Sequence, residues 1–213
     1  MNSTTFLGVI IDQNFTWSKH ISHLANKISK AIGILKKASH AFNKSTLRML
    51  YYSFLQPYFN YCILIWGNAA DIHLNKLILL QKRAMRLVSN AQFLDHTTPL
   101  FARQNILKLK DLYQQRCAVF TYKIYSHQFP TSFSSEFKMT VLNLNHNTRS
   151  LAQGSLSIPA YRTSLKQKTL KYQSIKLYNE FLRPNNYHVI SSITALKNTL
   201  HKRLISSYAP SPQ

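Results

Sequence analysis

The chain has 213 residues, of which 27 are lysine or arginine and only 6 are aspartate or glutamate, so its formal net charge is +21. Apolar residues make up 45% of the sequence, as in ordinary globular domains, and a buried core is therefore expected. Self-repulsion among the positive charges opposes a compact monomer unless an anion binds, which favours nucleic acid or anionic lipid as the partner.

The carboxylates are too few and too scattered for most metal-dependent chemistry. Two-metal catalysis needs several carboxylates that converge on ions a few ångströms apart. The six acids stand singly in the sequence, as Asp12, Asp71, Asp95, Asp111, Glu136 and Glu180. The two cysteines, Cys62 and Cys117, exclude a disulfide-rich scaffold and a CxxC zinc knuckle.

Neither secretion nor membrane insertion is expected. The longest apolar runs, residues 61–66 and 77–80, are far shorter than the roughly 20 residues that cross a bilayer. The N-terminus lacks the basic and apolar regions of a signal peptide. The sequence leaves the location open between the nucleus and the cytoplasm.

Residues 6–12 are apolar and rich in β-branched side chains, which predicts a short buried strand. No second convincing strand follows to pair with it, so the chain is expected to begin within a larger fold. Asp12 ends this segment and is predicted to serve in a turn or cap rather than in catalysis.

The first predicted helix covers residues 18–42, with Ser18 as its N-cap. Its apolar positions fall within an arc of roughly 80° and are Ile21, Leu24, Ile28, Ile32, Leu35 and Phe42. Its basic positions fall within a similar arc, centred roughly 130° away, and are Lys19, His23, Lys27, Lys30 and Lys37. One helix is thus predicted to carry a core face and a basic face.

A proline and a glycine mark the expected ends of the next helical segments. The second predicted helix begins at Asn43 or Ser45 and kinks or ends at Pro57. An aromatic-rich helical continuation over residues 58–66 is expected to stop at Gly67.

A third helix is predicted from a cap at Asp71 to about Asn90. Its inward positions are Leu74, Leu77, Ile78, Ala84, Met85 and Val88, and its basic positions are Lys76, Lys82, Arg83 and Arg86.

The C-terminal half is less regular. Thr98 and Pro99 predict the start of a short helix, followed by a longer one over residues 109–126. Residues 126–164 are rich in Ser, Thr and Asn, which predicts a loop or linker. Two more helices are expected near residues 166–182 and 191–206, on either side of Arg183 and Pro184.

Two further residue sets have competing interpretations. His20 and His23 have helical spacing that suits a shared metal, but no third ligand lies nearby in sequence, so no metal site is expected.

The helical spacing of seven aromatic residues favours core positions over base stacking. These are Tyr51, Tyr52, Phe54, Tyr58, Phe59, Tyr61 and Trp66.

Short motifs follow one another along residues 6–125. They include Phe6-Leu7-Gly8-Val9, Lys27-Ile28-Ser29-Lys30, Pro57-Tyr58-Phe59-Asn60-Tyr61-Cys62, Ile65-Trp66-Gly67, Leu79-Leu80-Gln81-Lys82-Arg83-Ala84 and Asp95-His96-Thr97. In this order and spacing they resemble the end of the reverse transcriptase domain of non-LTR (LINE-type) retrotransposons of the jockey and CR1-like groups. Residues 147–149, 161–163 and 177–179 resemble the tail of that family more loosely.

The resemblance implies a mainly α fold: a thumb-like helical bundle over residues 18–125, preceded by a strand remnant of the polymerase palm in residues 1–17. It also implies a linker over residues 126–164 and a loosely ordered C-terminal helical extension over residues 165–213. Leu7, Gly8 and Val9 would form a strand close to the primer grip.

The catalytic aspartates of this family lie upstream of the matching region. The resemblance therefore implies a truncated fragment of an RNA-directed DNA polymerase that does not polymerise by itself. Mg²⁺ is implied for the intact parent, and no cofactor for this chain.

The expected residual activity is sequence-independent binding to an RNA–DNA duplex through phosphates. The expected contact residues are Lys19, His23, Lys27, Lys30, Lys37, Lys82, Arg83 and Arg86. An RNA template and the missing palm and fingers are the other implied partners.

Two alternatives stay open at this stage. One is a basic helical structural or interaction protein derived from such a fragment. The other, less favoured, is a membrane-surface protein that uses the helix over residues 18–42, which lacks an aromatic insertion face and a lipidation motif.

Overall fold

The computed structural model describes residues 3–130, 158–182 and 192–208. These residues are mainly helical, with one two-stranded sheet near the N-terminus, which confirms the predicted fold class. Most of the predicted linker over residues 126–164 and the predicted break at Arg183 and Pro184 lie outside the described residues. No helix in the described part of the chain has the length and apolar character needed to cross a membrane.

The described residues belong to two compact units, Met1–Tyr113 with Lys202–Gln213 and Gln114–His201. The first contains β1 (Ser3–Phe6), β2 (Val9–Asp12), α1 (Ser18–Ala38), α2 (Lys44–Phe54), α3 (Gln56–Asn60), α4 (Ile63–Trp66), α5 (Asp71–Ser89), α6 (Thr97–Gln104) and the first turn of α7 (Leu109–Tyr125). The second contains the rest of α7, α8 (Ser164–Gln167), α9 (Leu170–Leu177), a π-helical turn (Tyr178–Leu182) and most of α10 (Ile193–Ser206).

The N-terminal segment is a β-hairpin rather than a single strand. β1 and β2 pair antiparallel, with Phe6 opposite Val9. Leu7 and Gly8 form the two-residue turn with φ of 46° and 77°, and positive φ at both positions is typical of hairpin turns. The predicted strand over residues 6–12 is therefore wrong at its start, and the strand is not alone, because its partner β1 precedes it in the chain. Of the predicted primer-grip-like residues, only Val9 lies in a strand.

Three hydrogen bonds attach the hairpin to the helices. The Ile10 N–H donates to Nδ1 of His20 at 3.3 Å, and the Lys19 Nζ donates to the Ser3 hydroxyl at 3.0 Å. The Tyr61 hydroxyl donates to the carbonyl of Leu7. Because the Ile10 bond needs an unprotonated Nδ1, the neutral imidazole is the form that holds β2 against α1.

Asp12 organises the start of α1. Its carboxylate accepts hydrogen bonds from the N–H groups of Thr16 and Trp17, each at 2.9 Å, which confirms the predicted turn role. Loss of solvent raises the pKa of the Asp12 carboxyl, and these hydrogen bonds outweigh that effect and leave the pKa below its usual value. The predicted N-cap at Ser18 is wrong, because Trp17 occupies that position without a side-chain cap.

The core of the first unit forms where α1 packs against α5. Five predicted apolar positions of α1, Ile21, Leu24, Ile28, Ile32 and Leu35, are buried. The sixth is wrong: α1 ends at Ala38, and Phe42 lies beyond it with 55% of its surface exposed. On α5 the predicted inward residues Leu74, Leu77, Ala84, Met85 and Val88 are buried, and Ile78 is half-buried. Asp71 is the first residue of α5 and not its cap, which is Ala70.

Between these helices the chain turns several times. Asn43, one of the two predicted starts of the second helix, caps α2 by accepting a hydrogen bond from the Thr46 N–H at 2.9 Å. α2 ends at Phe54, and Pro57 lies in the first turn of α3. The single predicted helix over residues 58–66 is wrong, because Cys62 adopts a φ of 50° and separates α3 from α4.

The aromatic residues of this region divide between core and surface. Tyr51, Phe59 and Trp66 are fully buried, as predicted. Tyr52, Phe54 and Tyr61 are exposed, and Tyr58 is half-buried, so the core prediction is wrong for these side chains.

Gln81 is a buried polar residue at the centre of the first unit. Its Nε2 donates to the Leu107 carbonyl at 2.9 Å and to the Tyr51 hydroxyl at 3.2 Å, and its Oε1 accepts from the Leu109 N–H at 2.9 Å. Burial raises the pKa of the Tyr51 hydroxyl, which keeps it neutral. Gln81 thus ties α2 and α5 to the start of α7.

The second unit has its own core of six buried side chains, Ala118, Tyr122, Ile175, Tyr178, Leu196 and Leu200. The Gln115 Nε2 donates to the carbonyl of Lys197 at 3.0 Å, which joins α7 to α10. The helix predicted over residues 166–182 is divided into α8, α9 and the π-helical turn, and the helix predicted over residues 191–206 is confirmed from Ile193 onward.

Two glycines in the first unit predict opposite changes in stability. A Cβ at Gly67, which ends α4, would overlap the Ile63 carbonyl and the Tyr113 ring. Gly67→Ala should therefore lower the free energy of unfolding by about 1–3 kcal/mol. Gly33 lies inside α1 with open space around it, and Gly33→Ala should raise the free energy by about 0.5–1 kcal/mol. Urea unfolding of both variants measures the difference. An equal effect of the two substitutions would contradict the packing at Gly67.

The burial of His20 leads us to expect that the stability of the fold depends on pH. Its burial, followed by the nearby charges of His23 and Lys27, holds its pKa below the ordinary value of 6.5. As the pH falls below 6.5, the unfolded chain therefore binds a proton that the folded chain resists, and the free energy of unfolding decreases. The contribution of one such group is at most about 1.4 kcal/mol per pH unit.

Replacing single histidines separates the contribution of His20 to this pH dependence from that of the other histidines. Asn at position 20 keeps an acceptor for the Ile10 N–H but cannot titrate, so His20→Asn should flatten the decrease between about pH 6.5 and 5. His23→Asn, at an exposed position, is the control and should leave most of the decrease in place. Unfolding in urea across this pH range measures both variants, and identical profiles would refute the role of His20.

Candidate nucleic-acid interface

The predicted basic face of α1 is exposed to solvent along its whole length. Lys19, His23, Lys27, Lys30 and Lys37 are all exposed. At a rise of about 1.5 Å per residue, the first and last of them are about 27 Å apart along the helix axis. The apolar contact with α5 fixes this orientation, because turning α1 to bury its lysines would expose its core residues.

Most of the positive charge of this face has no acidic partner in the described part of the chain. No ion-pair partner of His23, Lys27, Lys30 or Lys37 is present among the described residues. Lys19 differs from them, because its amino group also binds the hydroxyl of Ser3 in β1. The central lysines of α1 are therefore the best placed to meet an external anion.

The predicted basic residues of α5 have more varied surroundings. Lys76 and Arg83 are exposed. Arg86 donates two hydrogen bonds to the Asp95 carbonyl, at 3.2 and 3.1 Å, and its guanidinium lies over the ring of Phe93. Lys82 is half-buried and lines a cavity. Arg86 therefore has a structural task, since it holds the loop after α5.

Lys82, Arg83 and Arg86 lie on α5, and the predicted lysines of α1 lie on another helix. That both sets contact one nucleic acid stays a prediction.

The carboxylates in the described part of the chain are engaged in local structure. Asp12 accepts from the N–H groups of Thr16 and Trp17 in the turn before α1, Asp71 pairs with Lys110 at 2.7 Å, and the Asp95 carboxylate accepts from the Gln92 N–H at 2.8 Å. Asp111 accepts from the Tyr208 hydroxyl, and Glu180 lies 3.9 Å from Lys176. Each of them thus interacts with a different part of the fold.

His20 and His23 do not point to the same place. His20 is buried next to Trp66 and His23 is exposed, although both lie on α1. Within the described residues, no three His, Cys, Asp or Glu side chains come close enough together to hold a metal ion.

A cavity of about 460 Å³ in the first unit contains basic residues to which the sequence analysis gave no role. Lys108 and Lys110 line it together with Lys82. Tyr208, which also lines the cavity, accepts a hydrogen bond from the Lys108 N–H at 3.0 Å. Because Lys108 and Tyr208 are 100 positions apart, no local pattern in the sequence indicates that they meet.

Curated relatives confirm the predicted resemblance. The chain is 29% identical over 103 residues to a probable RNA-directed DNA polymerase from transposon X-element of Drosophila melanogaster. It is 26% identical over 148 residues to the RNA-directed DNA polymerase from mobile element jockey of the same species, and 28% identical over 125 residues to that of Drosophila funebris. No protein-family model matches the chain, and no solved structure matches it significantly.

These matches cover much of this chain and little of each relative. The X-element match includes 46% of the chain and 11% of the relative, and the two jockey matches include 68% and 57% of the chain against 16% and 14% of the relatives. The chain is thus similar to a small part of the RNA-directed DNA polymerases of jockey-type non-LTR retrotransposons, as a fragment would be.

Proposed function

We propose that this chain is a nucleic-acid-binding part of a retrotransposon RNA-directed DNA polymerase, and that the basic face of α1 contacts the phosphates of an RNA–DNA duplex. The observation that carries the proposal is the row of exposed basic residues on one face of α1, of which His23, Lys27, Lys30 and Lys37 have no acidic partner among the described residues. The names of the relatives supply the kind of ligand, since an RNA-directed DNA polymerase works on nucleic acid.

The dimensions of the face suit a duplex. Its length of about 27 Å equals the rise of about eight base pairs at the 3.4 Å of B-form DNA, and of slightly more in an A-like duplex. Lysine is a flexible point charge that binds phosphate without fixed geometry. Contacts of this kind give affinity and register but do not read bases. The expected binding is therefore independent of sequence and strongly dependent on salt.

The remaining parts of the polymerase are the second proposed partner. At the tip of the hairpin, Phe6 and Leu7 are 64% and 73% exposed, and Tyr61 binds the Leu7 carbonyl beside them. An apolar patch on the surface commonly marks a protein contact. The hairpin tip is the surface on which the palm of the parent polymerase would rest.

Catalysis is proposed to belong to the parent and not to this chain. Asp12, Asp71, Asp95, Asp111 and Glu180 each serve local structure, as described above, and are not gathered around one point. The metal ions that transfer a nucleotide need such a gathering.

The salt dependence of binding tests the role of α1. If its lysines neutralise three to four phosphates, log affinity for an RNA–DNA duplex should fall against log salt concentration with a slope of about −3. Lys27→Gln combined with Lys30→Gln should make the slope shallower by up to about two units. Fluorescence anisotropy of a labelled duplex at 50–300 mM salt, taken as roughly the useful range, measures the slope. Glutamine preserves the helix, because its helix propensity is close to that of lysine.

A control variant of equal charge separates this contact from general attraction to a +21 protein. Lys36 and Lys44 are exposed and lie outside the basic arc of α1. Lys36→Gln combined with Lys44→Gln should change the slope much less than the Lys27 and Lys30 pair. Equal changes would mean that attraction is diffuse and that α1 forms no specific contact.

Primer extension tests the assignment of catalysis. The purified chain should incorporate no nucleotides on a primed RNA template with Mg²⁺ or Mn²⁺, because no cluster of carboxylates is formed in its described residues. A mock preparation without the chain gives the background. Extension that depends on the chain would show that it is a polymerase in its own right.

A further inference from the structure

The cavity in the first unit combines three lysines with an apolar floor. Lys82, Lys108 and Lys110 line it, and so do Ile78, Phe101 and Leu109. Phe101 and Leu109 are almost completely buried, so the floor is part of the core. The volume of about 460 Å³ falls within the roughly 300–1,000 Å³ of small-ligand sites.

Hydrogen bonds and a ring contact hold Lys108 in place without a ligand. The Lys108 amino group lies 4.3 Å from the centre of the Tyr208 ring and donates to the Thr98 hydroxyl at 3.1 Å. The Lys108 N–H donates to the Tyr208 hydroxyl, which in turn donates to the carboxylate of Asp111. Burial and the bond to Asp111 raise the pKa of Tyr208, so its hydroxyl remains a neutral donor.

The charges of the lining favour a doubly charged anion. The three lysines face one carboxylate, that of Asp111, which already accepts the Tyr208 hydroxyl. Lys110 also pairs with Asp71, but this pair is exposed, and such pairs contribute little and exchange readily. A phosphate monoester carries a charge of about −1.5 to −2 at pH 7, whereas a phosphodiester inside a strand carries one negative charge.

We propose that this cavity binds a nucleotide that ends in a phosphate monoester, with the phosphate on Lys82, Lys108 and Lys110 and the base or sugar against the apolar floor. The phosphorylated end of a nucleic-acid strand and a free mononucleotide share this chemistry. The strand-end form of the inference rests on the proposed function, whereas binding of a free nucleotide does not.

The first experiment compares duplexes that differ only in a terminal phosphate. Anisotropy at constant salt measures the affinity of the full chain for otherwise identical RNA–DNA duplexes with 5′-phosphate, 3′-phosphate or hydroxyl ends. At least one phosphorylated end should bind about tenfold more tightly, the effect expected of one charged hydrogen-bond contact. Equal affinity for all three duplexes would overturn strand-end binding.

Two variants locate the preference. Lys82→Gln combined with Lys108→Gln should abolish the preference for the phosphorylated end, since two of the three lysines that line the cavity lose their charge. The matched pair on α1, Lys27→Gln with Lys30→Gln, should weaken all duplexes together and leave the ratio unchanged. A preference that survives loss of Lys82 and Lys108 would refute the cavity as its source. Circular dichroism of each variant confirms that the fold is retained.

Asp71→Asn gives a change in the opposite direction. It removes the competing carboxylate from Lys110 without touching the lining of the cavity. The preference for the phosphorylated end should therefore increase, and a decrease would contradict the role of Lys110.

The second experiment does not depend on the duplex. Titration calorimetry with adenosine monophosphate and with adenosine should show binding of the phosphorylated compound only, and Lys82→Gln with Lys108→Gln should remove it. This result holds even if the chain binds no duplex, so failure of the proposed function and failure of the cavity are distinguishable. Binding of neither compound, together with equal affinity for all duplex ends, would overturn the inference completely.

Discussion

The packing of α1 against α5 determines which side of α1 is exposed to solvent and therefore where its basic residues lie. Ile28 and Ile32 are almost completely buried in that contact, and burial of one such side chain contributes about 1.5–3 kcal/mol. A rotation of α1 by one residue, about 100°, would expose apolar surface and force lysines into the core. Hydrophobic burial thus fixes the orientation of α1. The basic face is exposed because it lies on the side of the helix away from the buried residues.

The few carboxylates complete this arrangement. Asp12 starts α1, and Asp111 fixes the Tyr208 hydroxyl beside Lys108. Asp95 instead closes a turn and leaves its carbonyl to Arg86. Because these acids serve the backbone or a hydroxyl, they do little to neutralise the lysines of α1. The lysines at the centre of α1 therefore keep their charge exposed to solvent.

The helices and their faces could be predicted because their signals are local. The spacing of Ile21, Leu24 and Ile28 determines the buried side of α1, and Asn43 marks the start of α2. The hairpin could not be predicted, because Leu7 replaces the Asn or Asp that usually signals such a turn. Leu7 is held at positive φ within contacts that include the hydroxyl of Tyr61, a residue 54 positions away.

The candidate site likewise has one part with a local signal in the sequence and another part that depends on tertiary contacts. The exposed row on α1 follows from periodicity alone, whereas the bonds of Arg86 to the Asp95 carbonyl depend on the path of the loop after α5. Periodicity places a residue on one side of its own helix and says nothing about where that side faces in space. The meeting of Lys108 with Tyr208 is likewise a property of the tertiary structure.

Charge repulsion and anion binding act on the same residues, so folding and binding are linked. An anion that binds the folded chain at concentration [L] adds RT ln(1 + [L]/Kd) to the free energy of unfolding, about 2.7 kcal/mol at 100 times Kd. The unfolded chain carries the same charge and also attracts phosphates, which reduces this gain. What only the folded chain offers is fixed geometry: lysines aligned along α1, and an amino group fixed over the Tyr208 ring. Contacts that require this geometry are therefore the ones through which a bound anion would stabilise the fold.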